Sequence, residues 1–516
     1  MIERDGQLKS LWQQGVQPYT TLHTAIENQS YDVIVVGGGI TGLSTALLLQ
    51  EAGKKCLVLE AKNLCFGTTG GTTAHLNTLL DTPYTEIEKK FSKETSREMA
   101  TAAAAALDLV KRNIEQYNIS CGFAEASACL FAQNSKQQKE LEEIAHASAA
   151  AGLQVELTTD APPPFRAVKT LRAMGQAKFH PVNYVYGLAK AFESLGGVIL
   201  QQCQVTDVQN KDGVICTTGK GNFIGRDLIY ATHIPPGINL LHLRCAPYRT
   251  YAMAVKLEDG QSFNDLVYDM EDPYHYYRSQ IIDGTEYLIA GGKDHKTGQE
   301  ENPAYRFTSL EATVRSHFKF KDIACKWSSQ YFESTDGLPY IGHLPGHAEH
   351  IYTATGFGGN GMTYSHLAAR LLADILLENE NPLIKVLSPA RIKPVAGFTN
   401  FITHNADAVR NFAGKLFSGE KLQELAGIAP GEGKIVQYDG EKIGLVRDKD
   451  GQLHAVKPVC THLQCEVKWN GAEQSWECPC HGARYNCEGK VITGPAVQPL
   501  EKIDLGSKSI KPQTAT

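Results

Sequence analysis

The chain contains no uncharged apolar run of the about 18 residues that a membrane span requires. Its most apolar stretch, Val33 to Gln50, is interrupted by four glycines and two threonines. Between Met1 and Ser30 there is no basic start followed by an apolar stretch, so no secretory leader is expected. No long run of Lys and Arg occurs, the net charge is −6 and the pI is about 6.3. A phosphate-binding surface usually needs a basic patch, so nucleic acid is not an expected partner. Internal repeats and low-complexity tracts are also missing. Cysteine, in contrast, is plentiful: there are thirteen, eight scattered before Cys460 and five gathered between Cys460 and Cys487. The scattered ones read as small core residues of a reducing compartment, which makes the cytoplasm the expected location. The gathered ones require a separate explanation.

A length of 516 residues suggests roughly two to four domains. Hydrophobic content of 42% and charged content of 21% are ordinary for a globular protein. Residues 1–30 read as an N-terminal extension. Strand, glycine turn and helix alternate from Tyr31, and a second such unit spans Ile351 to Leu377. An alanine-rich helix is predicted over about Lys93 to Gln116, and Ala161 to Phe165 marks a loop. A Pro-containing linker with a short helix, about Ala406 to Phe417, occupies 381–426. Short alternating strands such as Lys434 to Tyr438 and Lys442 to Val446 then predict a small β domain over 427–512.

The segment Asp32 to Leu43 is a buried strand running into Gly37-x-Gly39-x-x-Gly42 and a helix to about Ala52. A second strand, Lys55 to Leu59, ends on Glu60. Gly37 permits the tight turn, Gly39 lets the backbone approach a pyrophosphate, and Gly42 lets helix and strand pack closely. The helix N-terminus offers free N–H groups and partial positive charge. Glu60 stands where a carboxylate accepts hydrogen bonds from ribose hydroxyls. These residues predict a nucleotide cofactor, without separating NAD from FAD. Two further segments favour a bulky flat ring. One is the small, hydroxyl-rich Gly67 to His75. The other is Gly356 to Gly361, again between strand and helix, which would aim a second helix N-terminus at the same cofactor.

The other motif is Cys460-Thr-His462-Leu-Gln-Cys465 followed by Cys478-Pro-Cys480-His481-Gly482. Two cysteines and two histidines can hold zinc. Against zinc stand the symmetric placement of Cys465 and Cys480 in the two loops, the Gly494-Pro495 turn placed to cover a cluster, and the barrel-like strands.

Two resemblances follow from these motifs. Residues 31–380 resemble the D-amino-acid oxidase superfamily of FAD enzymes, with glycine oxidase and sarcosine oxidase. The matching pieces run in order from the fingerprint through His180-Pro181, Val205, Asp227 to Thr232 and Asp336 to Gly342 to Thr355 to Met362. The resemblance implies an FAD-binding Rossmann-type α/β (α+β) domain interleaved with a mixed-sheet substrate domain. FAD contacts are expected at Gly37, Gly38, Gly39, Ile40, Thr41, Gly42, Glu60, Ala61, Thr72, Thr73, Ala74, Val205, Thr232, Gly356, Gly358, Gly359, Asn360, Gly361 and Met362. His75 would sit near the ring. His75, Arg249 and His275 are the candidate catalytic residues. Where glycine-oxidase-like members place arginines for a substrate carboxylate, this chain holds Tyr331 and Gly359, so a bidentate clamp is missing. At the position of the oxygen-activating lysine of sarcosine-oxidase-like members stands Ile289, with Lys293 four residues later. Both departures argue against a simple amino-acid oxidase.

The C-terminal stretch resembles the all-β Rieske domains, close to those of the cytochrome bc complexes. The resemblance implies a 2Fe-2S cluster on Cys460, His462, Cys478 and His481, a disulfide between Cys465 and Cys480, and a Tyr485 hydrogen bond to a ligand sulfur. The usual serine donor after His-Gly is Ala483 here, which should lower the potential. Too few residues follow His481 for a mononuclear-iron oxygenase domain. Together the halves predict an FAD-dependent dehydrogenase. It would act on a C–N bond of a small amine or amino-acid derivative and shed electrons singly to an unidentified acceptor. An NAD(P)H-linked Rieske reductase would need a second Rossmann unit, which is not found. A non-catalytic redox sensor or electron-transfer protein would show no turnover with amines. The chain as a whole resembles bacterial fusions of these two domains.

Overall fold

Strand Ser30–Val36 carries Val33, Ile34 and Val35, apolar on both faces and buried on both. Such a strand is stable only with cover on both sides, which a parallel sheet with helical crossovers supplies. In the computed structural model, which describes residues 3–25, 29–211, 213–258, 263–391, 420–421, 428–438 and 441–504, this strand is central. Its sheet runs Tyr340–His343, Ile351–Thr355, Gly221–Tyr230, Ser30–Val36, Cys56–Leu59, Val198–Leu200. The last five are parallel to one another, with Val35 opposite both Ile229 and Val58. Helix Ile40–Glu51 is apolar nearly all round because it lies between this sheet and helix Gly361–Leu376. Gly42 makes the packing possible, since a Cβ there would stand 2.0 Å from the Gly37 carbonyl oxygen.

A second, nine-stranded sheet runs from Ile323–Ser334 through Cys245–Lys256, Thr285–Lys296, Tyr276–Ile282 and Leu266–Asp269 to Ala124–Ala132 and Lys169–Lys178. Its strands come from segments that alternate along the chain with those of the first sheet. The two sheets are therefore built by one interleaved chain. Helix Lys93–Gln116 forms where its alanines predict it, capped by the Ser92 hydroxyl on Thr95 N. The expected helix at 406–417 lies outside the described residues.

The C-terminal part contains two four-stranded sheets. One includes Gly433–Tyr438, Glu441–Arg447 and Leu453–Val456. The other is Lys468–Asn470, Ser475–Glu477, Arg484–Tyr485 and Val491–Thr493. This second sheet packs directly on the nine-stranded one. Arg249 meets Glu477 at 2.6 Å, and Arg484 lies within 3.3 to 3.7 Å of Glu477, Asp5 and Glu473. All five side chains are buried. Burial alone would raise the Glu477 carboxyl, but Arg249 and Arg484 hold it below the usual range. The N-terminal segment is part of this junction. The Arg4 guanidinium donates to Ser328 O at 2.6 Å, Gln7 N donates to Glu473 at 3.0 Å, and fully buried Trp12 donates to Thr72 O.

Candidate functional site

Two adjoining cavities lie between the sheets. The first, about 290 Å³, follows the end of Ser30–Val36. It is lined by Gly37, Gly39, Ile40, Thr41, Glu60, Ala61, Val205, Thr232, Gly358, Gly361 and Met362. Gly37 takes φ +117, and a Cβ there would meet Ala231 O at 2.5 Å. The N-cap residue of helix Ile40–Glu51 is Gly39, which has no side chain to cap it; Ile40 N donates to the Thr69 hydroxyl at 3.1 Å, and the following backbone donors of the first turn are left for an anion. Glu60 is positioned by Gly38 N at 2.6 Å and Lys62 N at 2.8 Å. Each carboxylate oxygen keeps a further acceptor site for a ribose hydroxyl. These features fit a dinucleotide.

The second cavity, about 430 Å³, shares Thr68, Gln330, Tyr331, Gly358, Gly361 and Met362 with the first. Thr72, Thr73, His75, Gly359 and Asn360 also line it. Gly38, Gly42, Ala74 and Gly356 line neither cavity. Gly38 and Gly42 shape the turn, and Ala74, at φ +57, gives its carbonyl to Arg278.

The wall of the second cavity is aromatic and acidic. It holds Tyr248, Tyr268, Tyr274, Tyr276, Tyr331 and Trp327, with Asp81, Asp272, Asp294 and Glu333, and no Lys or Arg among the described residues. Burial pushes Asp294 up to about 6 and Glu333 up to about 7, with neighbouring carboxylates adding to the effect. Tyr331 donates to Asp294 at 2.8 Å, and Gly359 N to Asp81 at 2.6 Å. Tyr331 and Gly359, the positions lacking arginine, thus both face carboxylates.

Of the three candidate catalytic residues, only His75 borders the cavity. Its Nδ1 lies 2.8 Å from the Tyr268 hydroxyl, its Nε2 is buried without a partner, and burial holds the ring neutral. Arg249 is turned into the domain junction instead, on Glu477. His275 pairs with Asp269 at 2.7 Å and does not border the cavity. Period-2 geometry explains this: near strand Tyr276–Ile282 alternate side chains face opposite ways, so Tyr274 and Tyr276 face the cavity and His275 does not. Tyr268, Asp81, Asp294, Glu333 and Gln330 were not anticipated, because they converge from four separate segments.

In the C-terminal part, Cys465 and Cys480 are joined by a disulfide. The Cys478 sulfur lies within 4.8 Å of both, but a disulfide leaves neither partner free for metal. The remaining donors are Cys460, Cys478, His462 and His481. The two imidazole rings stand 4.9 Å apart, and Nδ1 of each is buried without a partner. Two orphaned imidazole nitrogens beside two buried thiols fit a 2Fe-2S cluster held by two Cys and two His. The Tyr485 hydroxyl lies 3.2 Å from Cys460 Sγ. Ala483 is fully buried and offers no donor. Replacing it by serine is expected to raise the midpoint potential by about 40 mV, the equivalent of one hydrogen bond in a one-electron couple. A spectroelectrochemical titration giving an unchanged potential removes that role for the position.

The histidine end of this site faces the sheets. His462 Nε2 donates to Gly237 O at 3.1 Å, and the His242 ring packs edge-on against His462 at 4.5 Å. Gln330, which lines both cavities, donates to Gly482 O at 2.9 Å, next to His481.

Residues 32–375 match the FAD dependent oxidoreductase family, and residues 421–504 match the Rieske [2Fe-2S] domain. The chain is 32% identical over 483 residues to the Rieske 2Fe-2S iron–sulfur protein YhfW of Bacillus subtilis, covering 93% of this chain and 94% of that protein. It is 28% identical over 375 residues to gamma-glutamylputrescine oxidoreductase of Escherichia coli, covering 70% and 86%. In fold it is similar to glycine oxidase from Geobacillus kaustophilus, with a TM-score of 0.58 at 18% identity, over 71% of this chain and all of that one. No helix among the described residues is long and apolar enough to cross a membrane.

Proposed function

Because the chain belongs to the FAD dependent oxidoreductase family and ends in a Rieske 2Fe-2S domain, we propose that it oxidises a C–N bond of a cationic amine and passes the electrons singly, by way of the Rieske domain, to an external acceptor. FAD supplies two-electron chemistry when bound, and a 2Fe-2S cluster supplies one-electron chemistry. Cys460, His462, Cys478 and His481 are the proposed cluster ligands, and the cavity along Gly37 to Gly42 and Glu60 the proposed FAD site.

The observation that carries this reading is the acidic, tyrosine-lined cavity, which no Lys or Arg lines among the described residues. Carboxylates and aromatic faces attract an ammonium group. A substrate carboxylate would meet like charge and no guanidinium. That favours an amine over a free amino acid, in keeping with the putrescine derivative in the name of one relative. An ammonium must lose a proton before its C–N bond can be oxidised. Glu333, held up at about 7, is matched to accept it near neutral pH. Gln330 spans the short distance between the cavities and the Gly482 carbonyl.

The test is anaerobic mixing with a panel of amines, N-methyl amines and amino acids, following flavin bleaching and the Rieske EPR signal together. Bleaching by an amine, followed by the EPR signal, supports both parts. Bleaching only by free amino acids overturns the substrate class.

Activity should also depend on pH in a defined direction. Both carboxyls are raised, so each is protonated and neutral below its value and charged above it. Binding of a cation therefore strengthens as pH rises through 6 to 7, and kcat/KM below that range should climb about tenfold per pH unit. A profile flat from pH 5 to 8 would leave Asp294 and Glu333 with no part in binding.

A further inference from the structure

The first cavity has a wall that belongs to neither of the two large sheets. Residues 491–494, 496 and 497 of the Rieske domain line it together with Gly37, Glu60 and Thr232. Thr493, one of these lining residues, has a solvent-shielded hydroxyl without a hydrogen-bond partner. An unpaired buried hydroxyl is unfavourable unless a ligand atom completes it. The segment is also held near its C-terminal end. Gly237 N donates to Pro495 O at 3.3 Å, across the domain junction. Ala496 packs in the same small core as Cys460 and Cys478. Val497 stands at the rim, 37% exposed.

We propose that the FAD site is built by both domains, with segment 491–497 as one wall and the Thr493 hydroxyl as a hydrogen-bonding group for the dinucleotide. FAD and the Rieske domain then stabilise each other: the dinucleotide gains contacts with this wall, and the Thr493 hydroxyl gains a partner in the dinucleotide. This inference rests on FAD as the cofactor and is independent of the substrate.

Full-length protein is compared with Thr493→Val, which preserves shape, and Val497→Glu, which sets a carboxylate at the rim facing an anionic cofactor. FAD affinity is measured by equilibrium dialysis and flavin fluorescence, and the Rieske EPR signal reports whether the C-terminal domain remains intact. Thr493→Val should weaken FAD binding about fivefold, the effect of one hydrogen bond. Val497→Glu should weaken it about tenfold or more, through charge repulsion in a partly buried site. In wild-type protein stripped of flavin, added FAD should protect the amides of 491–497 from hydrogen exchange. Wild-type affinity in both variants with an unaltered EPR signal, or no protection of 491–497 by FAD, overturns the proposal.

Discussion

Replacing Cys478 with alanine is expected to abolish the Rieske EPR signal and, with it, reduction of any one-electron acceptor by amine. Cys478 is fully buried in the same small core as Cys460, so removing its sulfur leaves three of the four proposed ligands. A 2Fe-2S cluster of the Rieske type needs both thiolates on one iron. Amine should still bleach whatever flavin remains bound, because the acidic cavity contains no atom of the C-terminal domain. Cys487→Ala is the control. That thiol is half-buried and lies outside the proposed set, so its loss should leave the signal unchanged. If Cys478→Ala retained a Rieske spectrum, the ligand assignment would fail. If it lost the spectrum yet reduced one-electron acceptors at the full rate, the cluster would not lie on the electron path.

The second large effect is expected at Arg249, whose place in the junction was not foreseen. Arg249→Met strips Glu477 of its 2.6 Å partner while both positions remain 1 to 2% exposed. Breaking one side of a buried ion pair costs about 3–5 kcal/mol, because the partner charge is left uncompensated. Arg484 remains 3.3 Å from Glu477 and softens the loss. The variant should melt at a lower temperature, and its Rieske domain should part from the flavin domain in limited proteolysis. Electron transfer from reduced flavin to the EPR-active centre should slow, while flavin reduction by amine is little changed. Adding Glu477→Leu should recover much of the stability, since a well-packed apolar pair can replace a buried ion pair. A single variant as stable and as rapidly coupled as wild type would show that the junction does not depend on this pair. The native network also has a pH sense. The Asp5 and Glu477 carboxyls are held below their usual values, so their contribution is full at neutral pH and is lost as pH falls through the acidic range.

Much of the site was legible in the chain because its signals are local. A glycine pattern between a strand and a helix, or a Cys-x-His and Cys-x-x-His pair, encodes backbone geometry and ligand chemistry within a few residues. The turn at Gly37, the close contact at Gly42 and the cysteine and histidine loops were therefore readable one segment at a time. The acidic cavity was not. Asp81, Tyr268, Tyr276, Asp294 and Glu333 come from distant stretches, and each alone is an ordinary residue of a loop or strand. His275 and Arg249 stand among tyrosines in the sequence, yet strand alternation and the domain junction turn both away from the cavity.

By itself, then, the sequence determined that a dinucleotide site precedes a cysteine–histidine metal site, because both kinds of site are written in short contiguous motifs. Only the tertiary structure decided which charges line the acidic cavity, that His462 faces Gly237 and His242, and that residues 491–494, 496 and 497 line the cavity along Gly37 and Glu60. Those features depend on where two sheets and a third domain meet, and contacts between surfaces far apart in the chain leave no periodic or compositional trace in any one segment.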